Sequence, residues 1–339
     1  MIDRFKQLAW ASMLFVSPAF VLADDPPNKP ELSPALSRLF DWLPADTETV
    51  IVAQGPLEIR AQPTKPDELP PLAETMESLT VSIATGFDAN WGLDLPRGLK
   101  IRLAIEGSRS FRAPKGLGLM PYAGCQILQF EGSAEKAVQT AFAECLANSE
   151  EKTQLRGKQV AIVNHKIESD DWTFFVAHPR PDILLCATDQ AYLEEVLQRM
   201  EKKPDKRALP EDLPEWKHVN VKARVWALRH FRKEGAERDP SSPLGENAFA
   251  TARHPEALGI VFSYDPNAEN VAKVRYLSGN KNALRLVESE WVRPSDKLTP
   301  KVQQIAPGVV EISTSVGDPE SRSSFLMMLL GILGHGLYV

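Results

Sequence analysis

The chain has 339 residues, 25% of them charged and 43% hydrophobic, which is a globular profile and not a disordered one. Its formal net charge of −6 argues against a nucleic-acid partner, because phosphate backbones are bound by concentrated basic surface. Three cysteines are too few for a disulfide-built scaffold, so an apolar core must carry the fold.

Residues 1–23 read as a cleaved secretory signal peptide. Arg4 and Lys6 supply the positive n-region, and Leu8 to Val16 is apolar except for Ser12. Ser17-Pro18 breaks any helix, and Val21-Leu22-Ala23 offers the small-residue pattern that predicts cleavage between Ala23 and Asp24. The apolar run is well short of the roughly 20 residues that cross a bilayer. Residues 24–33 form a polar, proline-rich leader in which proline fixes φ.

In chain order, Ser33 to Leu43 reads as a short helix with Ser33 as N-cap and Pro34 in its first turn. Thr49 to Ala53 is a β-branched strand. Leu72, Met76, Leu79 and Ile83 give a helix ended by Gly86. Lys100 to Glu106 and Cys125 to Phe130 read as strands. Ser133 then caps a helix whose stripe is Ala134, Ala137, Val138, Ala141, Phe142, Cys145 and Leu146. Val160 to Val163, Trp172 to Val176 and Ile183 to Ala187 are short strands. Thr188 is expected to cap a helix bearing Leu193, Val196, Leu197 and Met200. The basic stretch Lys202 to Arg207 reads as a solvated linker.

Beyond the linker come strands at Val221 to Phe231, Ala257 to Tyr264 and Ala272 to Leu277. A helix carrying Ala283, Leu284, Val287 and Trp291 follows, then a strand from Val309 to Ser313. Sliding the first part along by 146 residues sets Phe130 on Tyr276, Ala137 on Ala283 and Val163 on Val309. Duplication and chance recurrence both remain open. The expected fold class is α+β, mostly antiparallel sheet with packed helices. A first α+β half spans 34–207 and a second 208–339. The apolar C-terminal segment 325–339 would reach only about 22 Å as a helix, short of the roughly 30 Å hydrocarbon core. It reads as a buried helix to Leu333 and a closing strand, and membrane association is not expected.

Common chemistries leave no trace. The six histidines fall in no H-x-x-x-H or H-x-H pattern, and C-x-x-C, Walker and G-x-S-x-G motifs do not occur, so no metal or cofactor is expected. Acid, base and hydroxyl gather in one place, from Arg229 to Pro243. There His230 could serve as base, Asp239 as its orienter and Ser241 as nucleophile. Arg229 and Arg232 could hold an anion by paired N–H donors. Turn formation by Asp-Pro-Ser-Ser-Pro accounts for the same residues. Trp226 and Trp291 are expected in the core. The cysteines read as buried free thiols, with Cys125–Cys145 the pairing to expect if a bridge exists.

Phe40 to Asp46, Ile183 to Asp189 and Leu333 to Gly336 resemble exported bacterial proteins of families without assigned activity. That resemblance implies an exported α+β globule and carries no functional residue with it. The leading expectation is an exported, non-catalytic binding or scaffold module of the periplasm or cell envelope, with an envelope protein as a candidate partner. The alternatives are a secreted hydrolase with its site near His230 and Asp239, and a membrane-associated envelope component using residues 325–339.

Overall fold

The structure is a computed structural model, and it describes residues 31–58, 93–110, 122–167, 170–202, 204–231, 255–264, 272–291 and 301–314. Twelve antiparallel strands form one sheet among these residues. They are β1 (Thr49–Glu58), β2 (Lys100–Ser110), β3 (Tyr122–Phe130), β4 (Glu151–Leu155), β5 (Lys158–Ile167), β6 (Asp170–Arg180), β7 (Ile183–Ala187), β8 (Val225–His230), β9 (Ala257–Tyr264), β10 (Ala272–Ser278), β11 (Lys301–Ala306) and β12 (Val309–Thr314). Their order is β11-β12-β10-β9-β8-β1-β2-β3-β7-β6-β5-β4. Four helices accompany them: α1 (Pro34–Trp42), α2 (Glu135–Asn148), α3 (Gln190–Glu201) and α4 (Ala283–Trp291). The α+β expectation holds in a sheet-dominated form. No described helix is long and apolar enough to cross a membrane.

In the interior of the sheet β1 pairs with β8, where Ile51 faces Ala227. Both faces are covered, so β1 is apolar at consecutive positions instead of alternating. Ile51 and Ala53 enter one core with Leu128, Val138, Phe142, Tyr276, Val287 and Ile312, beneath α2 and α4. Val50 and Val52 enter the other, where α1 and α3 pack with Phe40, Tyr192, Trp216 and Trp226. Phe40 stacks on Trp226 at 6.0 Å and tilts against Trp216 at 5.8 Å, locking α1 to the sheet centre.

Local chemistry explains the ends of the helices. Ser33 Oγ accepts from the Leu36 amide at 3.3 Å, as the sequence indicates. For α3 the cap is Asp189 and not Thr188. The Asp189 carboxylate accepts from Tyr192 N at 2.7 Å, while the Thr188 hydroxyl accepts from Gly124 N across the sheet. Before α2, Gly132–Ala134 forms a 3-10 turn, so Ser133 does not cap it. The expected linker is also more than a solvated tether. Ala208 and Leu209 are buried, and the Arg207 guanidinium lies over the Phe40 ring at 5.2 Å.

Cys125 belongs to the core under α1 and α3, whereas Cys145 and Cys186 belong to the opposite one. The sheet therefore separates Cys125 from Cys145. All three cysteines are buried free thiols, and the alternative Cys125–Cys145 bridge is not present. The segment Leu72–Gly86 and the C-terminal stretch 325–339 lie outside the described residues.

Candidate functional site

Sequence reasoning pointed to His230, and the structure gives it a partner that the reasoning did not name. His230 ends β8, where its backbone N–H donates to Glu48 O at 2.8 Å and its register partner is Gly259. Its Nδ1 is hydrogen-bonded to Oε1 of Glu215 at 2.9 Å. Glu215 sits in a 3-10 turn, Pro214–His218, and its side chain has no solvent exposure. The other carboxylate oxygen, Oε2, has no hydrogen-bond partner. Burying a carboxylate is costly unless it is paired, and here a histidine supplies the hydrogen-bond partner. The arrangement depends on the absence of a side chain at Gly259, where a Cβ would collide with Glu215 Oε1.

Charges continue across the neighbouring strands. Arg275 Nε donates to Glu311 Oε2 at 2.9 Å, and its Nη1 donates to the His218 carbonyl at 3.0 Å. Burial, then Arg275 and Lys217, lowers the His218 pKa below its ordinary 6.5, with Glu215 opposing.

The other expected site residues fare differently. Arg229, next to His230 on the strand and so on the other face, lies over the Phe231 ring at 5.3 Å. Asp239, Ser241 and Arg232 lie outside the described residues. The described part therefore holds a histidine and its orienting carboxylate. Among the described residues, no group of three His, Cys, Asp or Glu side chains is placed to hold a metal ion.

A second site went unnoticed in the sequence. A cavity of about 220 Å³ opens between α1 and one end of the sheet, bordered by Arg38 and Trp42 of α1, Arg102 of β2, Gln129 of β3, Arg180 of β6 and Asp182. The guanidinium of Arg180 lies over the Trp42 ring at 5.9 Å and 3.6 Å from Asp182, which also accepts from Gln129 Nε2 at 3.0 Å. Asp182 thus has two partners of its own. Arg38 and Arg102, both exposed, have no carboxylate partner among the described residues. Three arginines line one concave space with a single aspartate, an arrangement suited to an anion carrying several acceptor oxygens. No local motif could have announced it, because its residues come from four separated stretches of chain.

Comparison of this chain with protein-family models, with curated proteins and with solved structures found no match.

Proposed function

We propose that the chain is an exported, non-catalytic binding module of the periplasm or cell envelope, and that the arginine-lined cavity is where it takes an anionic ligand. The observation that carries this reading is the gathering of Arg38, Arg102 and Arg180 around one cavity against a single, already engaged carboxylate. Export rests on the signal-peptide pattern of residues 1–23.

The reading includes two related α+β halves. Several hydrogen bonds recur at matching places and support it. Phe130 N donates to Asp182 O at 2.9 Å, and Ser278 N to Gly308 O at 2.8 Å. Glu131 N donates to Lys100 O, and Gly279 N to Glu256 O. Across the centre, His230 N donates to Glu48 O, and Gln54 N to Arg224 O. The hairpin sequences agree as well: Pro181-Asp182-Ile183 leads to Thr188, and Pro307-Gly308-Val309 leads to Thr314. On this correspondence Arg102, Gln129, Arg180 and Asp182 match Leu258, Leu277, Ala306 and Gly308. Leu277 is core, and Leu258 and Ala306 pack against it. One scaffold is filled with apolar side chains at one end and left open and basic at the other, as expected of a site that diverged to bind.

The test is thermal unfolding of the purified protein in a panel of small anions at fixed ionic strength, beside Arg102→Ala and Arg180→Ala. Stabilisation by at least one anion, lost in both variants, supports the reading. Equal curves for every anion and variant refute it. Export is checked by mass spectrometry of the mature N-terminus from fractionated cells. A start at Asp24 supports the assignment, and a retained Met1 contradicts it.

A second reading, a secreted hydrolase, is favoured by the Glu215–His230 contact, which has the residue types that an orienter and base of a nucleophilic site would need. A hydrolase substrate screen decides it. Turnover abolished by His230→Ala would replace the binding reading, and no turnover on any substrate class would remove the hydrolase.

A further inference from the structure

We infer that the cavity between α1 and the sheet selects a compact phosphate dianion, inorganic phosphate or a phosphomonoester, over carboxylates of equal charge. The inference rests on the cavity being the binding site. Three arguments lead to it, from charge, shape and size.

Charge comes first. Among the described lining residues Arg38, Arg102 and Arg180 stand against one acid, Asp182, an excess of two positive charges. A phosphomonoester brings about −1.5 to −2 at neutral pH, and a monocarboxylate would leave the site half neutralised. Shape comes next. The three arginines come from three different elements, α1, β2 and the end of β6. A carboxylate offers its two oxygens in one plane, which suits one fork-shaped donor. The three terminal oxygens of a tetrahedral phosphate can each meet a separate donor.

Size excludes larger ligands. The cavity holds about 220 Å³, below the roughly 300–1,000 Å³ of sites for drug-sized molecules. Arg180 lies over the Trp42 ring, and only Ala35 and Leu39 add apolar wall for a hydrocarbon body. The phosphate group would make the contacts, and whatever bears it would project outward.

Calorimetric titration of the purified protein at fixed pH and ionic strength tests this with inorganic phosphate, glycerol phosphate, succinate and acetate. Phosphate and glycerol phosphate should bind at least about tenfold more tightly than succinate, with acetate weaker still. Arg102→Ala and Arg180→Ala should each weaken phosphate by at least about tenfold, the worth of one charge-assisted hydrogen bond. Exposed Lys301→Ala, on the opposite edge strand β11, should leave it unchanged. Succinate binding as tightly as phosphate, with loss in the arginine variants, overturns phosphate selection and leaves the anion site standing. No binding of any anion overturns both. Sedimentation with vesicles of phosphatidylcholine, with and without phosphatidic acid, separates the sources. Capture that needs phosphatidic acid and both arginines assigns a lipid head group, and binding of glycerol phosphate without capture assigns a soluble ester.

Discussion

Replacing Gly259 with alanine tests how closely the Glu215–His230 contact is held. A Cβ at Gly259 would fall inside contact distance of Glu215 Oε1, 2.6 Å from Glu215 Cγ and 2.5 Å from the Arg229 carbonyl oxygen. That carbonyl belongs to β8 and cannot retreat without opening the pairing of β8 with β9. The carboxylate, wholly buried, can retreat only by leaving Nδ1 of His230. Crowding of this kind costs about 1–3 kcal/mol, and losing a hydrogen bond to a charged group costs about 1.5–3 kcal/mol. Gly259→Ala should therefore lower the unfolding free energy by about 3–5 kcal/mol. Urea curves followed by fluorescence of the buried Trp216 and Trp226 read this out. In a Glu215→Ala background the penalty should shrink by at least about 1 kcal/mol, because only the clash with Arg229 remains. A loss below about 1 kcal/mol, or strict additivity of the two substitutions, would refute the reasoning.

Three further outcomes are expected. The thiols of Cys125, Cys145 and Cys186 are buried, and burial raises the pKa of Cys125 and Cys145, so a thiol reagent should label none in the native protein and all three in denaturant; denatured protein with fewer than three free thiols would contradict this. Burial is the first cause lowering both His178 and His218 below 6.5, so the unfolded chain takes up protons before the folded one does. Their contribution to stability is full above about pH 6.5 and is lost as pH falls through the lowered folded values. His218→Asn should flatten that slope in pH-dependent urea curves, and an unchanged slope would sink the assignment. Phe40→Ala removes a fully buried ring between Trp216, Trp226 and Arg207, and should cost about 3–5 kcal/mol in the same assay; a change under about 1 kcal/mol would contradict the packing described.

Much of the interior was legible because burial on both faces leaves a mark in sequence. Ile183–Ala187 and Ala257–Tyr264 are nearly continuous apolar runs, and each is a strand between two neighbours. The edge strands left no such mark. Glu151–Leu155 and Lys301–Ala306 are mostly polar and exposed, so nothing in their pattern separates them from loop. Nor does the sequence mark which strands are neighbours: Val163, which a slide of 146 residues sets on Val309, lies on β5, whereas the strand beside β3, as β12 is beside β10, is β7. Thr188 and Asp189 are both good caps, and only the distance of Thr188 from Gly124 decides between them. At the candidate sites, His230 drew attention as a titratable residue amid turn chemistry, whereas Glu215 looked like one exposed acid among 45 acidic residues. Arg38, Arg102 and Arg180 meet only when β2, β3 and β6 are aligned, and periodicity cannot supply that alignment.

The most direct test of the account is a crystal structure of the protein grown with tungstate, a tetrahedral dianion whose anomalous signal marks its position without ambiguity. The account predicts a peak in the cavity within hydrogen-bonding reach of Arg38, Arg102 and Arg180, absent from crystals of the Arg102→Ala, Arg180→Ala double variant. Peaks confined to other surfaces, with the cavity holding only water at tungstate concentrations that fill those sites, would contradict it.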